Sequence, residues 1–278
     1  MTTVPVIELE KIGYKTGYRY LLQDISWDIH AGEHWVVFGM NGSGKTTLLS
    51  IITGFKNYTD GKMRIFGEDI TNENILTIRQ KIGWVSASFF DKFYSKESAL
   101  HIVLSGKSGS LGLDNSITLQ DVRYAKELLE ELQLGDYINH TFDMLSKGQR
   151  QNVLIARALF ADPKILILDE PCTGLDIYNR SYLFYTIEAL SKRKELTILY
   201  VTHYVEEILP MFDNVLLLRN GHIFAKGKTK ALLNSEVMTR FLGYEVDMQT
   251  VNGEYNLHVQ VDTSLIDLLT RRNDNDRS

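Results

Sequence analysis

The sequence is short of cysteine, of long apolar runs and of surplus positive charge. Its one cysteine, Cys172, has no partner for an internal disulfide, which fits a reducing compartment; it reads as a small buried side chain rather than a nucleophile. No apolar stretch approaches the ~18 residues of a membrane-spanning helix. The opening residues, MTTVPVIELE, carry neither the basic region nor the apolar core of a signal peptide, so a cytosolic protein is expected. With 30 Lys and Arg against 35 Asp and Glu, the formal net charge of -5 supplies no positive field to gather nucleic acid or anionic lipid. There is no internal repeat.

What is present is the make-up of an ordinary globular protein, 44% hydrophobic and 23% charged over 278 residues. A chain of this length buries roughly three quarters of its unfolded surface and suits one domain with a small appendage. It is organised around His34–Gly54, where an apolar strand (Trp35–Phe38), a glycine-rich turn and a helix (Thr47–Thr53, closed by Gly54) follow in succession. The turn, Gly39-Met-Asn-Gly-Ser-Gly44-Lys45-Thr46, fits G-x-x-x-x-G-K-[ST]. Its glycines let Asn41, Gly42, Ser43 and their neighbours point successive N–H groups inward at a polyphosphate. Lys45 adds a charge for the β/γ-phosphates, Thr46 offers a hydroxyl to Mg²⁺, and Thr47 opens a helix whose positive end faces the same anion.

Around this stretch the apolar alternation of Val6–Glu10 and Leu22–Ile29 predicts an antiparallel strand pair, and Lys62–Phe66 and Ile82–Val85 read as further strands. Ser86–Phe90 and the aromatics Phe89, Phe90, Phe93 and Tyr94 read as a loop, whose rings either plug the core or anchor another chain. From about Asp91 to Met144 the pattern turns helical, with Lys96–Leu104 and then Val122, Ala125, Leu128, Leu129 and Leu132 at helical spacing up to Gly135. Leu145–Phe160 is a helix, Ile165–Leu168 a buried strand, Tyr182–Leu190 a helix, and Leu196–Val201 and Val215–Leu218 strands. Asn220-Gly221 and Asn252-Gly253 predict tight hairpin turns, the second between Val246–Val251 and Glu254–Val261. RRNDNDRS at the end reads as disordered.

An acid at the end of a buried strand downstream of a phosphate loop describes a nucleotide hydrolase, with Asp169 aimed at the Mg²⁺ shell. Glu170, one position on, suits a base that orients and deprotonates water in line with the γ-phosphate. Ser146-x-x-Gln149 before a helix is by itself a capping box.

In combination these motifs resemble those of the ABC ATPases. Gly39–Thr46 is similar to their Walker A motif and Leu145–Gln149 to their LSGGQ signature, with Lys147 in place of a glycine. Ile165–Glu170 resembles Walker B with the catalytic glutamate, Thr173–Asp176 the D-loop, and His203 the switch histidine. The resemblance covers about Val6 to Gly227. It implies an α/β fold: a P-loop NTPase (RecA-like) core with an antiparallel β subdomain and a helical subdomain at about 87–145. That domain would span 1–227, with a small C-terminal extension over 228–278. ATP and Mg²⁺ would be bound between two copies, a homodimer or pseudo-dimer. Gly39–Thr47 of one subunit would face Ser146, Gly148 and Gln149 of the other, with Asp176 crossing the interface and Glu170 and His203 catalytic. Thr46 and Asp169 would hold the metal.

The family resemblance also implies separate transmembrane permease subunits and a cytoplasmic position on the inner face of the membrane. The alternative is a soluble ABC-type ATPase acting on nucleic acid, ribosomes or another protein; the acidic balance and the lack of a basic run argue against nucleic acid. Two departures from the family pattern stand out. No glutamine lies between Gln80 and Gln120, where the family places one after the strand at Ile82–Val85, leaving Ser86 or Ser88 as oxygen donors. For the aromatic that stacks on adenine, Tyr14 is the first choice and Tyr18 its rival.

Overall fold

The structure, a computed structural model, describes residues 4–113 and 116–260. The first two strands, β1 (Ile7–Thr16) and β2 (Arg19–Ile29), form the expected antiparallel pair. β1 runs past Glu10 because bulges between Leu9 and Ile12 and between Ile12 and Tyr14, with Lys11 at φ 50°, break the alternation without ending the pairing. β3 (His34–Phe38) leads through the phosphate loop into α1 (Lys45–Ile52). β4 (Asp60–Ile65) and the short β5 (Glu68–Asp69) complete an antiparallel sheet in the order β2-β1-β4-β5.

After α2 (Ile75–Gln80) and β6 (Ile82–Val85) comes a helical stretch of α3 (Ala87–Tyr94), α4 (Ala99–Leu104), α5 (Leu119–Glu131) and α6 (Lys147–Phe160). The chain then runs through β7 (Ile165–Asp169), α7 (Ile177–Ser191), β8 (Thr197–Thr202), β9 (Asn214–Arg219) and β10 (His222–Lys228). Past α8 (Thr229–Leu232) and α9 (Ser235–Leu242), it ends in the hairpin of β11 (Val246–Val251) and β12 (Glu254–Val259). The second sheet has the order β10-β9-β3-β8-β7-β6, with the five strands from β9 to β6 parallel and β10 antiparallel at one edge. Strands β6, β7 and β8 are buried along their whole length, which is why they read as unbroken apolar runs.

Parallel register is what builds the site. Phe38 stands opposite Thr202 and Asp169 opposite Val201, so the phosphate loop, Asp169-Glu170 and Thr202-His203 all leave the sheet at the same end. Both Asn-Gly turns form as read: φ is 51° and 79° at Asn220-Gly221, and 52° and 85° at Asn252-Gly253. β12 stops at Val259; Val261 and the tail lie outside the described residues.

One reading is corrected. The aromatic stretch after Ser86 is not a loop but helix α3, with Ser86 as its extended N-cap. Phe90 and Tyr94, one turn apart, share the buried face and stack at 5.5 Å between centroids. Arg157 of α6 closes over them, its guanidinium 4.6 Å from the Phe90 ring centre and its Nε donating to the Tyr94 hydroxyl at 2.9 Å. Phe89 is half-buried and Phe93 is 49% exposed. The spacing 89/93 and 90/94 is helical, and the serines on both sides hid it.

The C-terminal segment packs on the same core. Met238 and Phe241 of α9 are buried, and the Phe241 ring lies 5.9 Å from that of Phe38, the last residue before the phosphate loop. Sequence reading found no helix there.

Candidate nucleotide site

The turn between β3 and α1 depends on a conformation that only glycine takes cheaply. Gly44 has φ 107°, and a Cβ on it would sit 2.7 Å from Leu22 Cδ2. No side chain caps α1, so its first-turn N–H groups are left for an anion. Lys45 is buried beneath this loop. Its ammonium donates to the carbonyl of Gly39 at 2.7 Å and of Met40 at 3.3 Å, and lies 3.2 Å from Glu170 Oε1.

Two acids face it from the end of β7. Asp169 is buried, and loss of hydration pushes its carboxyl up to about 6, against the pull of hydrogen bonds from Ser86 and Thr46. Ser86 Oγ donates to Asp169 Oδ2 at 3.0 Å and stands 3.2 Å from Ser88 Oγ. Asp169 Oδ1 is buried without a partner, an oxygen that a hard cation would satisfy. Together with the Thr46 hydroxyl this donor set fits Mg²⁺, which takes few protein oxygens and keeps water and phosphate ligands.

Glu170 adopts φ 49°, a left-handed conformation that costs energy in a non-glycine residue and is held by the bond from its N–H to the Val201 carbonyl at 2.9 Å. The twist turns its carboxylate toward both Lys45 and His203, whose Nδ1 also stands 3.2 Å from Oε1.

These groups open onto a cavity of about 660 Å³. Asn41, Gly42, Gly44, Lys45, Thr46 and Thr47 form one wall, with Asp169, Glu170 and Thr173 beneath. Gly39 contributes its carbonyl to Lys45, and Ser43 is buried behind the loop. The far wall comes from Ala87, Ser88 and Asp91 of α3 and from Lys147, Arg150 and Gln151 of α6. Of these, Ala87, Asp91, Arg150 and Gln151 were missed by sequence reading, although Lys147, Arg150 and Gln151 follow the i, i+3, i+4 spacing of one helix face.

Ser146, Gly148 and Gln149 do not line the cavity of their own chain. Ser146 and Gln149 form the predicted capping box, Oγ accepting from the Gln149 N–H at 3.2 Å and Gln149 Oε1 accepting from the Ser146 N–H at 2.8 Å. Gly148 lies against Asn179, and Asp176 caps α7 by accepting from the Asn179 N–H at 2.8 Å. The Lys147 stem lies over Gly174, where a Cβ would come within 2.7 Å of its Cδ.

Neither tyrosine considered for the base lines the cavity. Tyr18 is fully exposed, and the Tyr14 ring is covered by Lys56 at 4.7 Å. Tyr14 pairs with Leu22 and shares its face of the strand pair, whereas the cavity is lined by Leu21, which points the other way.

The ABC transporter family model matches residues 22–173. The uncharacterised ABC transporter ATP-binding protein YlmA of Bacillus subtilis (strain 168) is 40% identical over 238 residues, 85% of this chain and 90% of that protein. Among solved structures, an ABC transporter assigned to the metal-chelate type, in an inward-facing conformation, matches with a TM-score of 0.72 and 26% identity over 94% of this chain and 99% of that one. A dimeric ATP-binding cassette in a post-hydrolysis state, bound to ADP and Pi, matches with a TM-score of 0.68 and 25% identity over 80% and 98%. With phosphate loop, paired acids and signature helix around one cavity, and with relatives of this kind along most of its length, the chain belongs to the ABC ATPases, the ATP-hydrolysing subunits of ABC transporters.

Proposed function

We propose that two copies of this chain close head to tail on ATP and Mg²⁺ and that this closure drives separate permease subunits in the membrane. The observation that carries the reading is Glu170, held between Lys45 and His203 beside the buried Asp169. An incoming triphosphate draws Lys45 off Glu170 and frees the carboxylate. Glu170 then orients a water in line with the γ-phosphate and takes its proton as the water oxygen bonds phosphorus and the bond to the β-phosphate oxygen breaks. Thr46 and Asp169 would hold Mg²⁺, which would supply positive charge to the phosphate oxygens. His203 steadies Glu170 and senses the γ-phosphate.

The signature supports the dimer: Ser146, Gly148 and Gln149 lie outside the lining of the nucleotide cavity of their own chain and serve the partner's nucleotide, with Asp176 beside them. Among the described residues no helix is long and apolar enough to cross a membrane, so in this reading the spanning path belongs to the permease chains and the ATPase sits on the cytoplasmic face. Phe89 and Phe93 on α3, next to the cavity wall, are the apolar surface offered to the permease. Purification from solubilised membranes tests this: a copurifying spanning protein supports it, whereas ribosomal RNA or DNA in its place would point to the soluble alternative.

A further inference from the structure

Behind the catalytic pair lies a buried polar chain that the hydrolysis step above does not use. Glu207, in a 3-10 turn four residues after His203, is 5% exposed. Its Oε2 accepts from the Thr202 hydroxyl at 2.6 Å and from the Tyr200 hydroxyl at 3.1 Å. Thr202 Oγ1 in turn accepts from the Tyr204 N–H at 3.0 Å. Cys172 Sγ stands 3.3 Å from the Tyr200 oxygen. The phenol has one proton and gives it to Glu207, so the thiol donates to Tyr200. Every donor in the chain thus leads to one carboxylate oxygen.

The ends of this chain lie on either side of the reacting groups. Thr202 and Tyr204 flank His203, and Cys172 follows Glu170 by two residues at the entry to Thr173–Asp176. A buried carboxylate is expensive unless its hydrogen bonds are made, and both of these bonds come from β8, the strand whose last residue precedes His203. We propose that Glu207 is a positioning residue: through Thr202 it fixes the turn that holds His203 against Glu170, and the bond from Tyr200 anchors its carboxylate to the same strand. The inference rests on the reading of Glu170 and His203 given above.

Glu207→Ala removes the shared acceptor. Turnover at saturating ATP then falls on the order of tenfold or more, as when an orienting outer partner is lost, while the KM for ATP stays within about twofold. Glu207→Gln restores turnover, because a single carbonyl oxygen can accept both bonds. The His203 imidazole resonances, identified by their loss in His203→Ala, shift in Glu207→Ala and return in Glu207→Gln. In the His203→Ala background, Glu207→Ala costs little further turnover, the non-additivity of groups acting through one another. If Glu207→Ala does not fold, Thr202→Val cuts the same link at constant volume and gives the same pattern.

Wild-type turnover in Glu207→Ala or Thr202→Val overturns the proposal, as does a full additional loss on top of a defective His203→Ala. Wild-type turnover in His203→Ala alone overturns the role of His203 and the positioning proposal with it. These outcomes separate the two failures.

Discussion

The ammonium of Lys45 stands 3.2 Å from the carboxylate of Glu170, so the cation proposed to bind phosphate is paired with the residue proposed to activate water. Glu170→Gln leaves the shape and removes both the base and the pairing. Turnover is expected to fall on the order of 10²–10⁴-fold, with ATP affinity equal to wild type or tighter. Phosphate release and a fluorescent-nucleotide titration check the two arms; normal turnover removes Glu170 from the mechanism.

Lys45→Ala should have the opposite profile. A charge-assisted contact is worth about 1.5–3 kcal/mol, so ATP binding is expected to weaken by about 10- to 100-fold. The same titration reads this loss.

Asp169 gives a pH test. Its carboxyl is raised to about 6 in the folded chain from an ordinary value of 3.8, so between those two values the folded state holds a proton that the unfolded state has lost. The burial penalty is therefore fully expressed above about pH 6 and fades as pH falls toward the unfolded value. Asp169→Asn is expected to stabilise the nucleotide-free protein by up to about 3 kcal/mol at pH 7.5, with the gain vanishing near pH 4, and to lose ATP turnover. Denaturant midpoints across that pH range decide it: a gain that does not change with pH would assign the effect to packing.

Helix α3 separates two roles by exposure. Phe90→Ala, at 0% exposure, should cost about 3–5 kcal/mol of stability. Phe93→Ala, at 49%, should cost no more than about 0.5 kcal/mol, yet weaken capture of the permease. A Phe93→Ala protein that keeps its membrane partner rules out this ring as an anchor.

With Glu170→Gln to stop hydrolysis, ATP and Mg²⁺ should convert monomer to dimer on a sizing column, and Ser146→Arg should prevent it. Loss of the capping box costs about 1 kcal/mol, too little to unfold the chain, so the variant remains a fair test.

The motif chemistry was legible because it is local. Gly39–Thr46, the acids after Ile165–Leu168 and the capping box at Ser146 each need only neighbours in the chain, and the buried parallel strands show as unbroken apolar runs. The helix at Ala87–Tyr94 was hidden because serines before and after its rings suit a loop equally well; packing against Arg157 decided between them. The family resemblance likewise favours Tyr14 for the base, with Tyr18 its rival, but strand pairing puts Tyr14 on the face opposite Leu21.

Which residues carry a phosphate loop, a metal-directed acid and a base is written in the order of the chain, since each rests on side-chain type and short spacing. That Lys45, Glu170 and His203 meet at one oxygen and that Asp169 loses its water depends on three parallel strands ending at one level. Residues more than a hundred positions apart meet there only because the sheet brings their strands side by side, and burial, which sets the cost of every charge among them, exists only once that sheet has packed.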